Sequence, residues 1–328
     1  MVGIAIVGQG YMGRTHAVAW SDLGLGASIK YVVGRRVRAS AMPASHATFT
    51  TNFEDVLHDH SVDIVSVCTP TGSHADLAVR ALHMGKHVVI EKPIALTLKD
   101  ADRVRKAAAE SGALVMVAHV VRFFAGYQAV RAMWAEGVLG TVSQVRASRS
   151  MATPVWSRWL TDEKQSGGML VDFAIHDFDQ ANLFLGTPER ILSVRRERDG
   201  AIETTIQYQS GGEARVLSQT SLEIGSPFRS SIALQGASAD ADYQFEASEP
   251  TSGEDRPPLS VVTVRRPGGS WTEQLADSDP YAAELEYFAS CVASGTPPSE
   301  GSLDSSAMAL SVALAARRSL REGWVRLP

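Results

Sequence analysis

The chain has 328 residues, 45% of them hydrophobic and 20% charged, a balance that excludes disordered and fibrous classes and leaves room for two domains. A formal net charge of −5 with only short basic patches argues against nucleic-acid binding, and no apolar run reaches membrane-spanning length. Two cysteines, Cys68 and Cys291, do not support a disulfide framework, so the cytoplasm is the expected compartment.

The first predicted element is a short apolar strand, Ile4–Val7, too short for a signal peptide. It runs directly into Gly8-Gln-Gly10-Tyr11-Met12-Gly13, and a helix is predicted from Tyr11 to about Leu23. Three glycines alone often mark only a turn, but strand, glycine loop and helix in this order point to dinucleotide binding. Gly8 allows the tight turn and Gly10 admits a pyrophosphate. Gly13 lets the helix sit close to the strand, with its first N–H groups aimed at the phosphates. Tyr11 and Met12 belong to the same cofactor-binding loop.

Strands are predicted next at Ile29–Val33, Ala47–Thr50, Ile64–Cys68, His87–Ile90 and Leu114–Val117. Helices are predicted near Phe53–His58, His74–Met84 and Leu98–Ser111. Such alternation is the signature of a doubly wound parallel sheet, the Rossmann arrangement, with its crevice beyond the carboxyl ends of the strands. Cys68 closes one apolar run and is expected to be buried and inert. At the end of the second strand, NAD-selective sites usually carry an acid for the ribose 2′-hydroxyl. Here the chain reads Val33-Gly34-Arg35-Arg36 instead, so NADP(H) is favoured, with Arg35 and Arg36 on its 2′-phosphate and NAD(H) as the alternative.

From about residue 140 the pattern changes. Segments 141–150, 189–197, 202–209, 214–222, 228–235, 241–246 and 259–265 are strand-like, several with period-2 alternation. A helix is predicted over about 167–185, and two more near 280–293 and 303–321. Residues 249–258 read as an exposed loop. The expected fold is therefore α/β: an N-terminal Rossmann doubly wound parallel sheet and a C-terminal α/β domain with a large, mainly antiparallel open sheet. The expected domains are 1–120 and 121–328, with the helix near 303–321 free to pack back on the first. The far face of the second sheet has no obvious cover; if that face is apolar, self-association would cover it, and on that reading a homodimer or homotetramer through 141–265 is expected.

Several motifs follow one another along the chain. They are Gly13-x-x-His16, Cys68-Thr69-Pro70-Thr-Gly-Ser-His74, Glu91-Lys92-Pro93 and His119-x-x-Arg122-Phe123. The second half adds Gly167-Gly168-Met-Leu-Val-Asp172-x-x-x-His176-x-x-Asp179 and Tyr281-x-x-Glu284-Leu285-x-x-Phe288. In this order they resemble the glucose-fructose oxidoreductase / inositol dehydrogenase / MocA family over essentially the whole chain. The resemblance implies an NAD(P)-dependent oxidoreductase that moves hydride to or from a secondary alcohol of a sugar or inositol. It implies Lys92, Asp172 and His176 as catalytic residues. Thr69, Pro70, His74, Glu91, Lys92 and Pro93 then join the glycines at the cofactor, with Trp159 and Tyr281 on the substrate side. His119, just beyond the sixth strand, and Arg122 behind it suit either the substrate or the domain junction.

The chemistry of these residue types is consistent with such roles. A lysine beside an oxidised nicotinamide has its charged form disfavoured, which brings it toward proton-transfer range. A carboxylate near an imidazole orients the ring and stabilises its protonated form, although a helix-surface Asp–His pair would look the same in sequence. Trp156, Arg158 and Trp159 suit either stacking on sugar C–H surfaces or a packed lid. His58, Asp59 and His60 fit a solvated surface better than a metal site, and none is expected. Other readings of the same fold are a dihydrodiol-type dehydrogenase, a non-catalytic NAD(P)-binding regulator and an NAD-dependent glycoside hydrolase.

Overall fold

In the computed structural model, residues 2–36, 42–153, 158–221, 223, 225–248, 257–276 and 278–327 are described. Trp156, Arg38 and most of the predicted loop at 249–258 lie outside them. The first strands are β1 (Ile4–Val7), β2 (Ile29–Val33), β3 (Thr48–Thr50), β4 (Ile64–Val67), β5 (His87–Glu91) and β6 (Val115–Ala118). Between them run α1 (Tyr11–Asp22), α2 (Glu54–Leu57), α3 (His74–His83) and α4 (Leu98–Ser111). The strands pair in parallel in the order β3-β2-β1-β4-β5-β6. Every residue of β1, β4 and β6 is buried, as expected where helices cover both faces of a parallel sheet. Thr97 caps α4 by accepting from the Asp100 N–H at 3.1 Å, and Gly112 ends it at φ +70°.

The chain continues through α5 (Ala125–Ala135), β7 (Val142–Ala152), α6 (Arg158–Thr161), α7 (Glu163–Ser166) and α8 (Ile175–Leu185). Then come β8 (Pro188–Arg195), β9 (Ile202–Tyr208), β10 (Glu213–Ser221), β11 (Phe228–Gly236), β12 (Asp240–Ala247), β13 (Leu259–Arg266) and β14 (Gly269–Gln274). It closes with α9 (Pro280–Ser294), α10 (Leu303–Glu322) and β15 (Val325–Arg326). The second sheet has the order β14-β13-β12-β11-β7-β10-β9-β8-β15. All its pairs are antiparallel except β7 with β10. One face buries Ile191, Ile206, Val216, Ile232, Tyr243 and Val262, and α5 and α8 pack on this sheet.

Several local features differ from the sequence expectation, among them the short α6, α7 and β15, which were not expected. No helix was expected at 125–135 and no strand at 269–274. Every residue of β14 is exposed, so no apolar alternation announces it, and pairing with β13 creates it. The helix expected over 167–185 is interrupted. Residues Met169–Phe173 form a π-helical turn, closed by the Ala174 N–H on the Met169 carbonyl at 2.9 Å, and α8 starts only at Ile175.

The chain divides into two compact units. The first comprises Met1–Phe123 with Asp279–Leu310, and the second Phe124–Ser278 with Ser311–Pro328. In the first, α9 packs on α1 and places Leu285 and Phe288 in the core with Ile4, Trp20 and Ile64.

Candidate active site

The start of α1 is built by glycines with distinct tasks. Gly8 has φ +125°, and a Cβ there would lie 2.3 Å from the Cys68 carbonyl oxygen. A Cβ on Gly13 would lie 2.0 Å from the Gly8 carbonyl oxygen, so the helix approaches the strand at a distance only glycine allows. At Gly10 a Cβ would meet nothing within 4 Å. Gly10 is also the N-cap of α1, where no side chain caps the first-turn N–H groups. That cradle fits the diphosphate of a dinucleotide. Next to it, both polar atoms of the Gln9 amide are buried without a hydrogen-bond partner. At the end of β2, Gly34 lies under the Gln9 side chain, and Arg35 and Arg36 are exposed.

The Glu91-Lys92-Pro93 turn follows β5 in the same unit, with a cis Lys92–Pro93 bond. Glu91 is buried, and His16 Nε2 of α1 lies 3.1 Å from its Oε1. His74 Nδ1 lies 2.8 Å from the Pro93 carbonyl and its Nε2 lies 2.7 Å from the Thr69 carbonyl. Burial holds the His74 pKa below the ordinary histidine value, with the two carbonyls pulling the other way. Burial also pushes the Cys68 thiol and the Glu284 carboxyl well up, and Glu91 adds to both. Tyr281, in the first turn of α9, has its phenol pushed up by burial and then by the Glu91, Tyr11 and Glu284 charges. His119 is buried just beyond β6, and Arg122 donates to Glu300 Oε2 at 3.1 Å.

In the second unit, Asp172 stands in the π-helical turn and His176 is the second residue of α8. His176 is buried, and Asp179, a turn further on, is buried too. Between them, Asp177 forms a buried fork with Arg149 of β7: Nε to Oδ2 at 3.0 Å and Nη2 to Oδ1 at 2.9 Å. The guanidinium also lies over the rings of Phe228 and Phe173, at 5.6 and 5.9 Å. Burial raises the Asp177 pKa, opposed by Arg149. This fork ties the start of α8 to β7 one residue from His176. The sequence reading had singled out neither partner. Its only trace is an arginine at a core-facing position of an alternating strand. Trp159 lies in α6 and is half-buried. No group of three or more His, Cys, Asp or Glu able to hold a metal occurs among the described residues.

A parallel sheet with a glycine cradle at its first strand–helix turn defines a dinucleotide-dependent enzyme, here joined to a second, sheet-based unit. Known proteins narrow that class. Residues 2–119 match the model of an "Oxidoreductase family, NAD-binding Rossmann fold", and residues 127–237 that of the "GFO/IDH/MocA C-terminal domain". Inositol 2-dehydrogenase of Rhizobium meliloti (strain 1021) is 30% identical over 98% of this chain and 97% of its own. The scyllo-inositol 2-dehydrogenase (NAD(+)) of Bacillus subtilis (strain 168) is 26% identical over 98% and 95%. Levoglucosan dehydrogenase in complex with NADH shares the fold, with a TM-score of 0.82 at 19% identity over 100% and 99% of the chains. The chain belongs to the GFO/IDH/MocA family and is an NAD(P)-dependent oxidoreductase.

Proposed function

We propose that the enzyme moves hydride between NADP(H) and a secondary alcohol or ketone on a polyhydroxylated ring, a sugar or a cyclitol. The observation that carries this reading is the end-to-end relation to an inositol 2-dehydrogenase. Lys92, Asp172 and His176 are all present at their motif positions. The cofactor preference rests on the end of β2, where Gly34-Arg35-Arg36 offers two exposed cations and no carboxylate.

Gly8, Gly10, Tyr11, Met12 and Gly13 would hold the diphosphate, and Arg35 and Arg36 the 2′-phosphate. Thr69, Pro70 and the Glu91–Pro93 turn would border the nicotinamide half, with His74 behind them. When bound, the nicotinamide supplies the hydride acceptor or donor. His176 takes the substrate hydroxyl proton on its imidazole during oxidation and returns it during reduction, and Asp172 orients that ring. The Lys92 ammonium hydrogen-bonds the substrate oxygen and steadies the developing alkoxide. His119, Trp159 and Tyr281 are assigned to the substrate side, and Arg122 joins them through its pair with Glu300. We place the enzyme in the cytoplasm, where its two buried free cysteines stay reduced. We assign it a homodimer or homotetramer built on residues 141–265.

A panel of sugars and inositols, assayed by nicotinamide absorbance with both cofactors, tests the reading. Turnover of polyhydroxylated rings with NADP(H) is expected, and activity confined to hydrophobic alcohols would overturn it. Arg35→Asp should weaken NADPH binding by about 1.5–3 kcal/mol, the value of a charge-assisted hydrogen bond, with little effect on NADH. Equal wild-type affinity for the two cofactors would remove the preference.

A further inference from the structure

Two buried histidines of the first unit have no part in the hydride transfer or the proton transfer. His16 on α1 has no exposed surface, and His74 at the start of α3 is 1% exposed. They grip the same short segment on either side of Lys92. His16 Nε2 and Glu91 Oε1 are 3.1 Å apart, and because a carboxylate only accepts, that nitrogen carries the proton. The other oxygen, Glu91 Oε2, accepts the main-chain N–H of Lys92 at 3.2 Å. Beyond Lys92, His74 sits between the Pro93 carbonyl, 2.8 Å from its Nδ1, and the Thr69 carbonyl, past the end of β4 and 2.7 Å from its Nε2, and the neutral ring donates to one of the two at a time. The lysine therefore stands on a turn fastened through one imidazole to α1 and through another to α3.

The surroundings keep this linkage simple. Glu284 of α9 is fully buried, and neither of its oxygens has a hydrogen-bond partner. Burial, and then the Glu91 charge, push that carboxyl well above the usual carboxylate range, which disfavours a second negative charge beside Glu91. A lysine side chain has four rotatable bonds, and an error of about 1 Å at the root of a reacting group can cost about a hundredfold in rate. Fixing the main chain on both sides of Lys92 removes that source of error. The same helix that opens on the glycine cradle carries His16.

We infer that His16 and His74, acting through Glu91 and the Pro93 carbonyl, are positioning residues that set where the Lys92 ammonium stands. Their value to catalysis rests on the role proposed above for Lys92; the placement of the lysine does not.

Trace acetylation of the intact protein's amines, read by peptide mass spectrometry, measures the reactivity of Lys92 against the exposed Lys99 and Lys106 of α4. His16→Leu and His74→Leu should each change the relative rate at Lys92 by about fivefold or more, while Lys99 and Lys106 keep theirs. His16→Gln, whose amide still reaches Glu91, should return Lys92 to within about twofold of wild type, and His16→Asn, one methylene shorter, should not. That Asn and Gln pair decides the matter if the leucine variants fail to fold. With a turned-over polyol, His16→Asn should lower kcat by about tenfold or more while its NADPH affinity, read by fluorescence titration, stays within about threefold. Lys92 reactivity unchanged in His16→Asn and in the folded leucine variants would overturn the positioning role. Failure of the proposed function would show differently: wild-type protein that binds no NADPH, or Lys92→Ala with undiminished turnover, whatever the labelling pattern.

Discussion

A carboxyl group with no exposed surface and no hydrogen-bond partner, as in Glu284, can ionise only against the full cost of burial. Its folded pKa lies well above the ordinary value of 4.5, so the native protein holds a proton that the unfolded chain loses. The stability this group contributes is fully present below the unfolded pKa and is lost as pH rises through the folded one. Glu284→Gln cannot ionise in either state. Its stability relative to wild type should therefore grow by up to about 1.4 kcal/mol per pH unit above about pH 4.5. Urea unfolding of both proteins at a series of pH values checks this, and parallel curves would mean that Glu284 ionises freely. The Arg149–Asp177 fork sets a second case. Asp177→Asn leaves a buried guanidinium without its charge partner and should cost about 3–5 kcal/mol, whereas replacing both residues with apolar ones of similar volume should recover most of it. At His176 the expected effect is on rate: His176→Ala should cut turnover by about a hundred- to ten-thousandfold and leave cofactor affinity nearly intact. Near-wild-type turnover would put the base elsewhere.

Helix α1 shows how one element couples packing to binding. Gly10 has φ −83°, an ordinary value for any residue, and a Cβ there meets nothing within 4 Å. Gly10→Ala should keep thermal stability within about 0.5 kcal/mol and lower affinity for the dinucleotide, since the methyl group fills the cradle. Gly13→Ala places its Cβ 2.0 Å from the Gly8 carbonyl oxygen, a backbone atom that moves only with the strand. This change should cost about 1–3 kcal/mol as well as affinity. Calorimetric melting beside cofactor titration separates the two, and equal melting temperatures would contradict the close packing of α1 on β1. The glycine loop, α1 and the parallel strands were legible because each is coded locally, by spacing and by β-branched runs. The π-helical turn before α8 was not, because Asp172 and His176 keep a four-residue spacing whether or not the helix widens between them.

For the whole molecule, the far face of the second sheet carries the main expectation. Arg146, Glu203, Arg215, Ser148 and Ser231 line a shallow depression of about 460 Å³ on this sheet. If copies associate through these strands, Arg215→Glu should shift the assembly toward monomer in sedimentation at micromolar concentration. A wild-type monomer under those conditions would contradict the proposed assembly.

The sequence by itself determined the class of fold, the glycine cradle, the absence of an acid after β2 and the family, because these reside in short contiguous patterns. Period-2 alternation also marked several strands of the second sheet. Only the tertiary structure decided which polar residues go inside. His16 and Glu91 are 75 residues apart, and Arg149 and Asp177 are 28 apart; Glu, Arg and Asp are types found mostly at the surface, and His is intermediate. Hydropathy along one segment reports its own preference for water and says nothing of the partner another segment will bring. Burial of a charge is settled by that partner, so it became visible only once the segments met.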